Sequence, residues 1–215
     1  MSAALAPPEA VADRAGFARA AGAGRAAMAD LEQFRQMLGD WNERMNLVSA
    51  ASLDGFWGRH AWDSAQLLRI APKARVWADI GAGAGFPGVV LAILLKGTPG
   101  AAVELVESQA KRCRFLDAVV EALELPAKVR NARAEDLALK VDIVTARAVA
   151  PLTRLLEFAK PMLDRGARAL FLKGRDAEAE IAEARKSWRF SLETIPSLSD
   201  PEGRILAVQG LAHAR

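Results

Sequence analysis

Asp79-Ile80-Gly81-Ala82-Gly83-Ala84-Gly85-Phe86-Pro87-Gly88 follows the apolar run Val76-Trp77-Ala78 and precedes a second, Val89 to Leu95. That order predicts a strand, a glycine turn and a helix. Glycines in such a turn permit positive φ and let a ligand approach the backbone with no Cβ in the way. The helix beyond aims unpaired N–H groups and its positive dipole end back at that ligand. Working outward, strands are expected at 75–80, 102–107, 128–132, 141–146, 168–173, 189–195 and 204–209. Helices fit 86–96, 110–124, 151–163 and 176–187. Pro126 closes the second of these helices and Pro151 suits the first turn of the third. Alternation of this kind implies right-handed crossovers and a parallel, doubly wound sheet. Only Pro196 to Gly203 separates the last two strands, so one of them is expected to run antiparallel.

Upstream of residue 72 the pattern is helical. Met28, Leu31, Phe34, Leu38 and Trp41 share one face of a helix over 28–43. A second helix is predicted over 53–70, with Ser52 as its N-cap and a stripe running through Phe56, Trp57, His60, Ser64 and Leu67. The organisation expected is a flexible segment over 1–25, with one alanine-rich helix after Pro8, a helical cap over 26–71 and a ligand-binding α/β domain over 72–215. At 215 residues and 52% hydrophobic, the chain can bury one sizeable core. Its pI of about 9.3 is compatible with nucleic acid without demanding it. One cysteine, Cys113, and two histidines exclude an intrachain disulfide and leave no basis for a metal site. No apolar run approaches the roughly 18 residues that span a bilayer. The N-terminus lacks the basic-then-apolar order of a signal peptide, so a cytoplasmic location is expected.

In an open parallel sheet the ligand lies beyond the C-terminal strand ends. Dinucleotide sites carry G-x-G-x-x-G there. Here Asp79 precedes the glycines in the order acidic-x-Gly-x-Gly-x-Gly, which resembles the class I S-adenosylmethionine (SAM) methyltransferases. Their fold is Rossmann-like, a seven-stranded, mostly parallel sheet with an antiparallel last strand; here it would carry an N-terminal helical extension. SAM has an ammonium group and ribose hydroxyls but no pyrophosphate, so a carboxylate beside the loop suits it. Glu107 ends the second strand about twenty residues past the glycines, where a carboxylate can accept from both ribose hydroxyls. Glu104 is mid-strand and reads as partly solvated. The third strand ends in Asn131-Ala132-Arg133-Ala134-Glu135-Asp136, where a small residue and an acid can border adenine. Arg147 and Lys173 end the fourth and fifth strands, bringing positive charge to the cleft rim.

Taken together, the segments resemble the bacterial 16S rRNA guanine-N7 methyltransferases, the glucose-inhibited division protein B family. The resemblance runs from about Leu31 to Lys173. Trp41-Asn42-Glu43-Arg44-Met45-Asn46-Leu47 is similar to the family's W-N-x-x-x-N-L segment, and Arg59-His60-Ala61-Trp62-Asp63-Ser64 to its R-H-x-x-D-S segment. Asp79 to Gly88 matches D-I-G-x-G-x-G-F-P-G. Glu107-Ser108 with Lys111-Arg112 matches acid-S-x-x-K-R, although aspartate is frequent where Glu107 stands. Arg133-Ala134-Glu135, Ala146-Arg147-Ala148 and Lys173-Gly174 complete the series.

The resemblance implies SAM as cofactor, held by Asp79, Gly81, Gly83, Gly85, Phe86, Glu107, Ala134, Glu135 and Arg147. It implies methyl transfer to N7 of a guanine, position 527 of the 16S rRNA, in the small ribosomal subunit, by a chain that works as a monomer without metal. N7 carries a lone pair and no proton, so no general base is expected, and Arg147 and Lys173 would position rather than titrate. The segments with Asn42, Arg44, Asn46, Arg59, His60, Asp63, Lys111 and Arg112 would adjoin the site or meet RNA. His60, on an apolar stripe, reads as a hydrogen-bonded structural histidine rather than a base. Two alternatives stand beside this reading: a small-molecule methyltransferase of the same fold, and a non-catalytic rRNA-binding assembly factor.

Overall fold

Residues 11–214 are described by the structure, a computed structural model. Seven strands form one sheet in the order β3-β2-β1-β4-β5-β7-β6. They are β1 (Val76–Ile80), β2 (Ala102–Glu107), β3 (Ala127–Asn131), β4 (Ile143–Arg147), β5 (Arg168–Lys173), β6 (Trp188–Pro196) and β7 (Arg204–His213). The first five pair in parallel, whereas β7 inserts antiparallel between β5 and β6. The expected antiparallel strand is therefore β7.

Alternation along each strand divides the core in two. Trp77, Val103, Leu105, Leu170 and Leu172 face one side, and Ala78, Ile80, Val106, Val144 and Phe171 face the other. On the first side lie α5 (Gly88–Leu95), apolar all round, and α6 (Ala110–Ala122). On the second lie α7 (Leu152–Leu163) and α8 (Ala177–Ser187). Helices on both faces of a mostly parallel sheet bury its central strands β1, β4 and β5 almost throughout, whereas the edge strand β3 carries Lys128, Arg130 and Asn131.

The N-terminal helices join the first side. They are α1 (Arg14–Ala21), α2 (Arg25–Met45), α3 (Ala50–Asp54) and α4 (Asp63–Ile70), with a π-helical stretch at Phe56–Trp62. Phe34 of α2 is fully buried, its ring centroid 5.3 Å from Phe86 and 6.5 Å from Phe115. Removing such a ring costs about 3–5 kcal/mol, so the extension is bound firmly to the sheet. Two expectations change here. Residues 1–10 lie outside the described residues; the alanine-rich helix expected after Pro8 is α1, but the flexibility expected of 1–25 does not extend to it, since its Phe17 is wholly buried. The single helix over 53–70 is broken instead into α3, the π stretch and α4. Ser49 rather than Ser52 caps α3, accepting from the Ser52 N–H at 3.2 Å, and the Ser52 hydroxyl is spent on His60.

Candidate active site

The glycine loop leaves β1 with Gly81 at φ 72° and Gly83 at φ 53°. A Cβ on Gly81 would lie 2.6 Å from the Val149 side chain, so this position combines a left-handed backbone with no room for any larger residue. Glu107 closes over the same loop. One carboxylate oxygen accepts from the Gly83 N–H at 3.1 Å and the other from the Gln109 N–H at 2.8 Å. Arg112 stands 3.8 Å from it.

Two cavities meet at the loop. The smaller, about 270 Å³, is walled by Ile80, Val106, Ala134 and Phe158, with Glu107 and Glu135 as its carboxylates. A slot that sets apolar side chains beside two acids and the polar groups of Ser108, Gln109, Arg112 and Arg133 can take a nucleoside. The larger, about 950 Å³, opens over Gly81 and Gly83 and is bounded by Arg59, His60, Asp63, Phe86, Arg147 and Lys173. Gly81, Arg112 and Ala148 line both, so one elongated ligand can run from slot to chamber over the loop.

At the chamber wall Arg147 is the hub. Its guanidinium donates to the Arg59 carbonyl at 2.9 Å, to Asp63 Oδ2 at 3.3 Å and to His60 Nδ1 at 2.6 Å. Arginine can only donate, so Nδ1 accepts and the His60 proton sits on Nε2, where it reaches Ser52 Oγ at 2.6 Å. The imidazole is stacked on Phe86 at 4.4 Å, and Arg147 lies over the same ring at 5.0 Å. Burial first, then the charges of Arg147 and Arg59, pull the His60 pKa down to about 3. His60 is a neutral structural histidine, as its apolar stripe implied. Asp63 is pushed the other way by burial, against the pull of Arg147 and Ser199. Lys173 donates to the Ala150 carbonyl at 3.0 Å and pairs with Glu180 at 2.7 Å. Arg147 and Lys173 thus each have a carboxylate partner.

Asp79 is placed differently from the sequence expectation. Its carboxylate is wholly buried beneath the loop and lies on neither cavity wall. Oδ2 accepts from Gly88 N at 2.8 Å, holding the first turn of α5, while Oδ1 has no partner. Burial, with Glu107 adding repulsion, raises its pKa to about 7. Gly85 is likewise off the cavities, packed against Phe34 and Val89. Asn42 and Asn46 shape the turn after α2: Asn42 Oδ1 accepts from Val48 N at 2.9 Å, and Asn46 is left-handed at φ 50°. Arg44 and Lys111 are exposed, joined by a 3.2 Å bond from Lys111 Nζ to the Arg44 carbonyl.

The sequence reading missed part of the wall. Val149, exposed yet pressed on Gly81, is one such residue. The β6–β7 connection supplies Ser197, Ser199 and Asp200 to the chamber, and Arg204 stands beside Lys173 in the β5–β7 register. A signal for Arg204 existed: it is a cation opening the strand that pairs with one already singled out. The partners of Arg147 on the Arg59–Asp63 segment give it a structural role beside the positioning role expected of it.

Comparison with known proteins identifies the family. Residues 27–207 match the family model described as rRNA small subunit methyltransferase G. A protein of that name from Caulobacter vibrioides is 59% identical over 208 residues, covering 97% of this chain and 96% of its own length. Another from Rhodopseudomonas palustris is 46% identical over 207 residues, covering 93% and 87%. Among solved structures, an O-methyltransferase from Bacillus cereus in complex with SAH superposes with a TM-score of 0.57 at 16% identity, covering 85% of this chain and 91% of that one. TomG, an O-methyltransferase from Streptomyces achromogenes in complex with SAM, gives 0.55 at 14%, covering 84% and 90%. The structural likenesses bear on the fold alone. With the sequence match spanning nearly all of both cavities, the chain belongs to the rRNA small subunit methyltransferase G family.

Proposed function

We propose that this chain is the SAM-dependent enzyme that methylates N7 of guanine 527 in 16S rRNA, acting in the cytoplasm as a monomer on the small ribosomal subunit. The observation that carries the reading is the family match across residues 27–207, which takes in every element lining the two cavities apart from the α1 region. Among the described residues no helix is long and apolar enough to cross a membrane, and no cluster suited to a metal is present. Both cavities are walled by one chain, so a second copy is not needed to complete them.

The residues present fit the cofactor. Glu107 would take the ribose hydroxyls, Ala134 and Glu135 the adenine, and the Gly81–Gly83 backbone the portion that passes into the chamber. Bound SAM supplies an electrophilic methyl group. The chain's own part is to hold a splayed guanine in the chamber with N7 facing that methyl, since RNA bases are read when unstacked. Proximity and orientation of this kind are worth up to about 7–11 kcal/mol. The guanine gains positive charge as it reacts, so an unbalanced cation beside N7 would oppose the step. Pairing Arg147 with Asp63 and Lys173 with Glu180 removes that penalty while leaving N–H donors for O6, ribose or phosphate. No proton leaves N7, and His60, with both ring nitrogens engaged, is suited to support rather than to act as a base.

The test is methyl transfer from labelled SAM to small ribosomal subunits lacking the modification, followed by nucleoside analysis and mapping of the labelled base. Label in 7-methylguanosine at position 527 is expected. Label in another nucleoside, or only in small molecules, would overturn the assignment.

A further inference from the structure

Gln66 touches neither cavity, yet its side chain gathers more polar contacts than any other on α4. It is 1% exposed. Its amide nitrogen lies 3.0 Å from the Asp63 carbonyl, 3.0 Å from Asp63 Oδ1, 3.1 Å from Ser197 Oγ and 3.3 Å from Ser199 Oγ. Two N–H protons are shared among four acceptors. Its Oε1 accepts from the Leu198 N–H at 2.7 Å. Two neighbours reinforce the link: Ser199 Oγ donates to Asp63 Oδ1 at 2.6 Å, and the Trp62 indole N–H donates to the Leu198 carbonyl at 3.2 Å.

These bonds fix the turn Ser197–Ser199 to the start of α4, across more than 130 residues of sequence. That turn is otherwise a surface connection, with Leu198 exposed. Ser197 and Ser199 form part of the same chamber wall as the glycine loop. Asp63 divides its labour, with Oδ2 toward Arg147 and Oδ1 toward Gln66 and Ser199. Losing Gln66 therefore leaves the Arg147 contact standing and loosens the turn, which keeps only the Ser199–Asp63 and Trp62–Leu198 bonds to this segment.

We propose that Gln66 is a positioning residue for the RNA side of the chamber, holding the β6–β7 connection in its binding-competent place while taking no part in cofactor binding. The idea rests on reading the chamber as the acceptor site. A wall that must be ordered at each encounter charges its ordering entropy to binding, whereas saturating substrate restores the same bound state. The loss should fall on KM for RNA rather than on kcat or on SAM affinity.

Gln66→Leu keeps roughly the same volume and removes every bond made by the Gln66 amide, leaving Ser199–Asp63 and Trp62–Leu198 in place. With small ribosomal subunits as substrate, KM should rise at least about fivefold while kcat and the calorimetric Kd for SAM each stay within about twofold. Hydrogen exchange of the intact protein should show faster exchange at Leu198 and its neighbours, with β1 and α5 unchanged. Ser199→Ala, which cuts the turn's own bonds to Asp63 and Gln66, should raise KM in the same direction and serves if Gln66→Leu does not fold. An unchanged KM with a lowered melting temperature would overturn the proposal, leaving Gln66 a stabilising contact only. A parallel loss of SAM affinity would overturn it too. Unaltered exchange at Leu198 would do so whatever the substrate, and absence of RNA methylation by the unmodified protein would count against the function reading instead.

Discussion

Arg147 Nη2 and His60 Nδ1 are 2.6 Å apart, and the two side chains share the Phe86 ring as their floor. This contact joins the end of β4 to the π-helical stretch and converts two motifs, far apart in sequence, into one wall. The π turn is where the regular ladder is traded for placement, as such turns often are at functional sites. It brings the Arg59 carbonyl, the His60 ring and the Asp63 carboxylate to bear on a single guanidinium.

Arg147→Ala should therefore lower both turnover and stability. It leaves the half-buried Asp63 without its cation, and loss of one partner from such a pair costs about 2–3 kcal/mol in a partly shielded site. Methyl transfer should fall at least about tenfold, equal to about 1.4 kcal/mol. Arg147→Lys keeps the charge but not the fork that reaches three acceptors, so it should recover only part of either loss. Melting curves and single-turnover rates on the two variants check this. Full activity in Arg147→Ala would remove the residue from the site.

Gly81→Val tests the cofactor loop. The new side chain would meet Val149 and would have to adopt φ 72°, which a β-branched residue resists. SAM binding by calorimetry should drop at least about a hundredfold, or about 2.7 kcal/mol, while the far-ultraviolet circular dichroism stays native. Gly81→Val together with Val149→Ala relieves the clash but not the backbone strain, so partial recovery is expected. Undiminished affinity in the single variant would show that the cofactor does not run over this loop.

Much of this was legible in the sequence because hydrophobic alternation and glycine spacing are local. The first six strands lie within two residues of their predicted bounds, since a buried central strand must be apolar whatever packs on it. Strand β7 runs four residues past its expected end at 209, along its pairing with β6. The break at Phe56–Trp62 was not legible: the stripe Phe56, Trp57, His60 keeps helical spacing straight through it. The partners of Arg147 were hidden for another reason. They are set by where β4 ends relative to a helix more than 80 residues earlier, which no local pattern encodes. Asp79 illustrates the same limit, for its place before the glycines marks the loop without telling whether the carboxylate points at the ligand or beneath it. It points beneath.

That burial makes Asp79 a pH-dependent element of stability. Its folded pKa of about 7 is above the unfolded value of about 3.9, so the unfolded chain releases this proton first as pH rises. The contribution of Asp79 is fully present below about pH 4 and is lost as pH climbs through 7, at no more than about 1.4 kcal/mol per pH unit. Asp79→Asn cannot ionise and still offers an oxygen to Gly88 N. The melting temperature of Asp79→Asn relative to the unmodified protein should therefore increase from pH 5 to about pH 7 and level off above it. A difference that does not change with pH would show that the carboxyl is already charged at pH 5.

His60 shifts in the opposite direction and supplies the test of mechanism. Its folded pKa of about 3 lies below the unfolded 6.5, so the unfolded state takes up the proton first as pH falls. The stability it contributes is complete above about pH 6.5 and is lost progressively toward pH 3, so His60→Gln should flatten the acid side of the stability profile. Above pH 6.5 the ring is already neutral, with Nδ1 occupied by Arg147 and Nε2 by Ser52. Nothing on it titrates where the enzyme would work. Single-turnover rates at saturating SAM and ribosomal substrate should accordingly be nearly level from about pH 6.5 to 8.5, as expected for a nucleophile that carries no proton. His60→Gln should lower the rate only as far as it loosens Arg147, by the same factor across that range. A log-linear rise of rate with pH that disappears in His60→Gln would instead require a proton to be removed from the acceptor, and N7 of guanine has none to give.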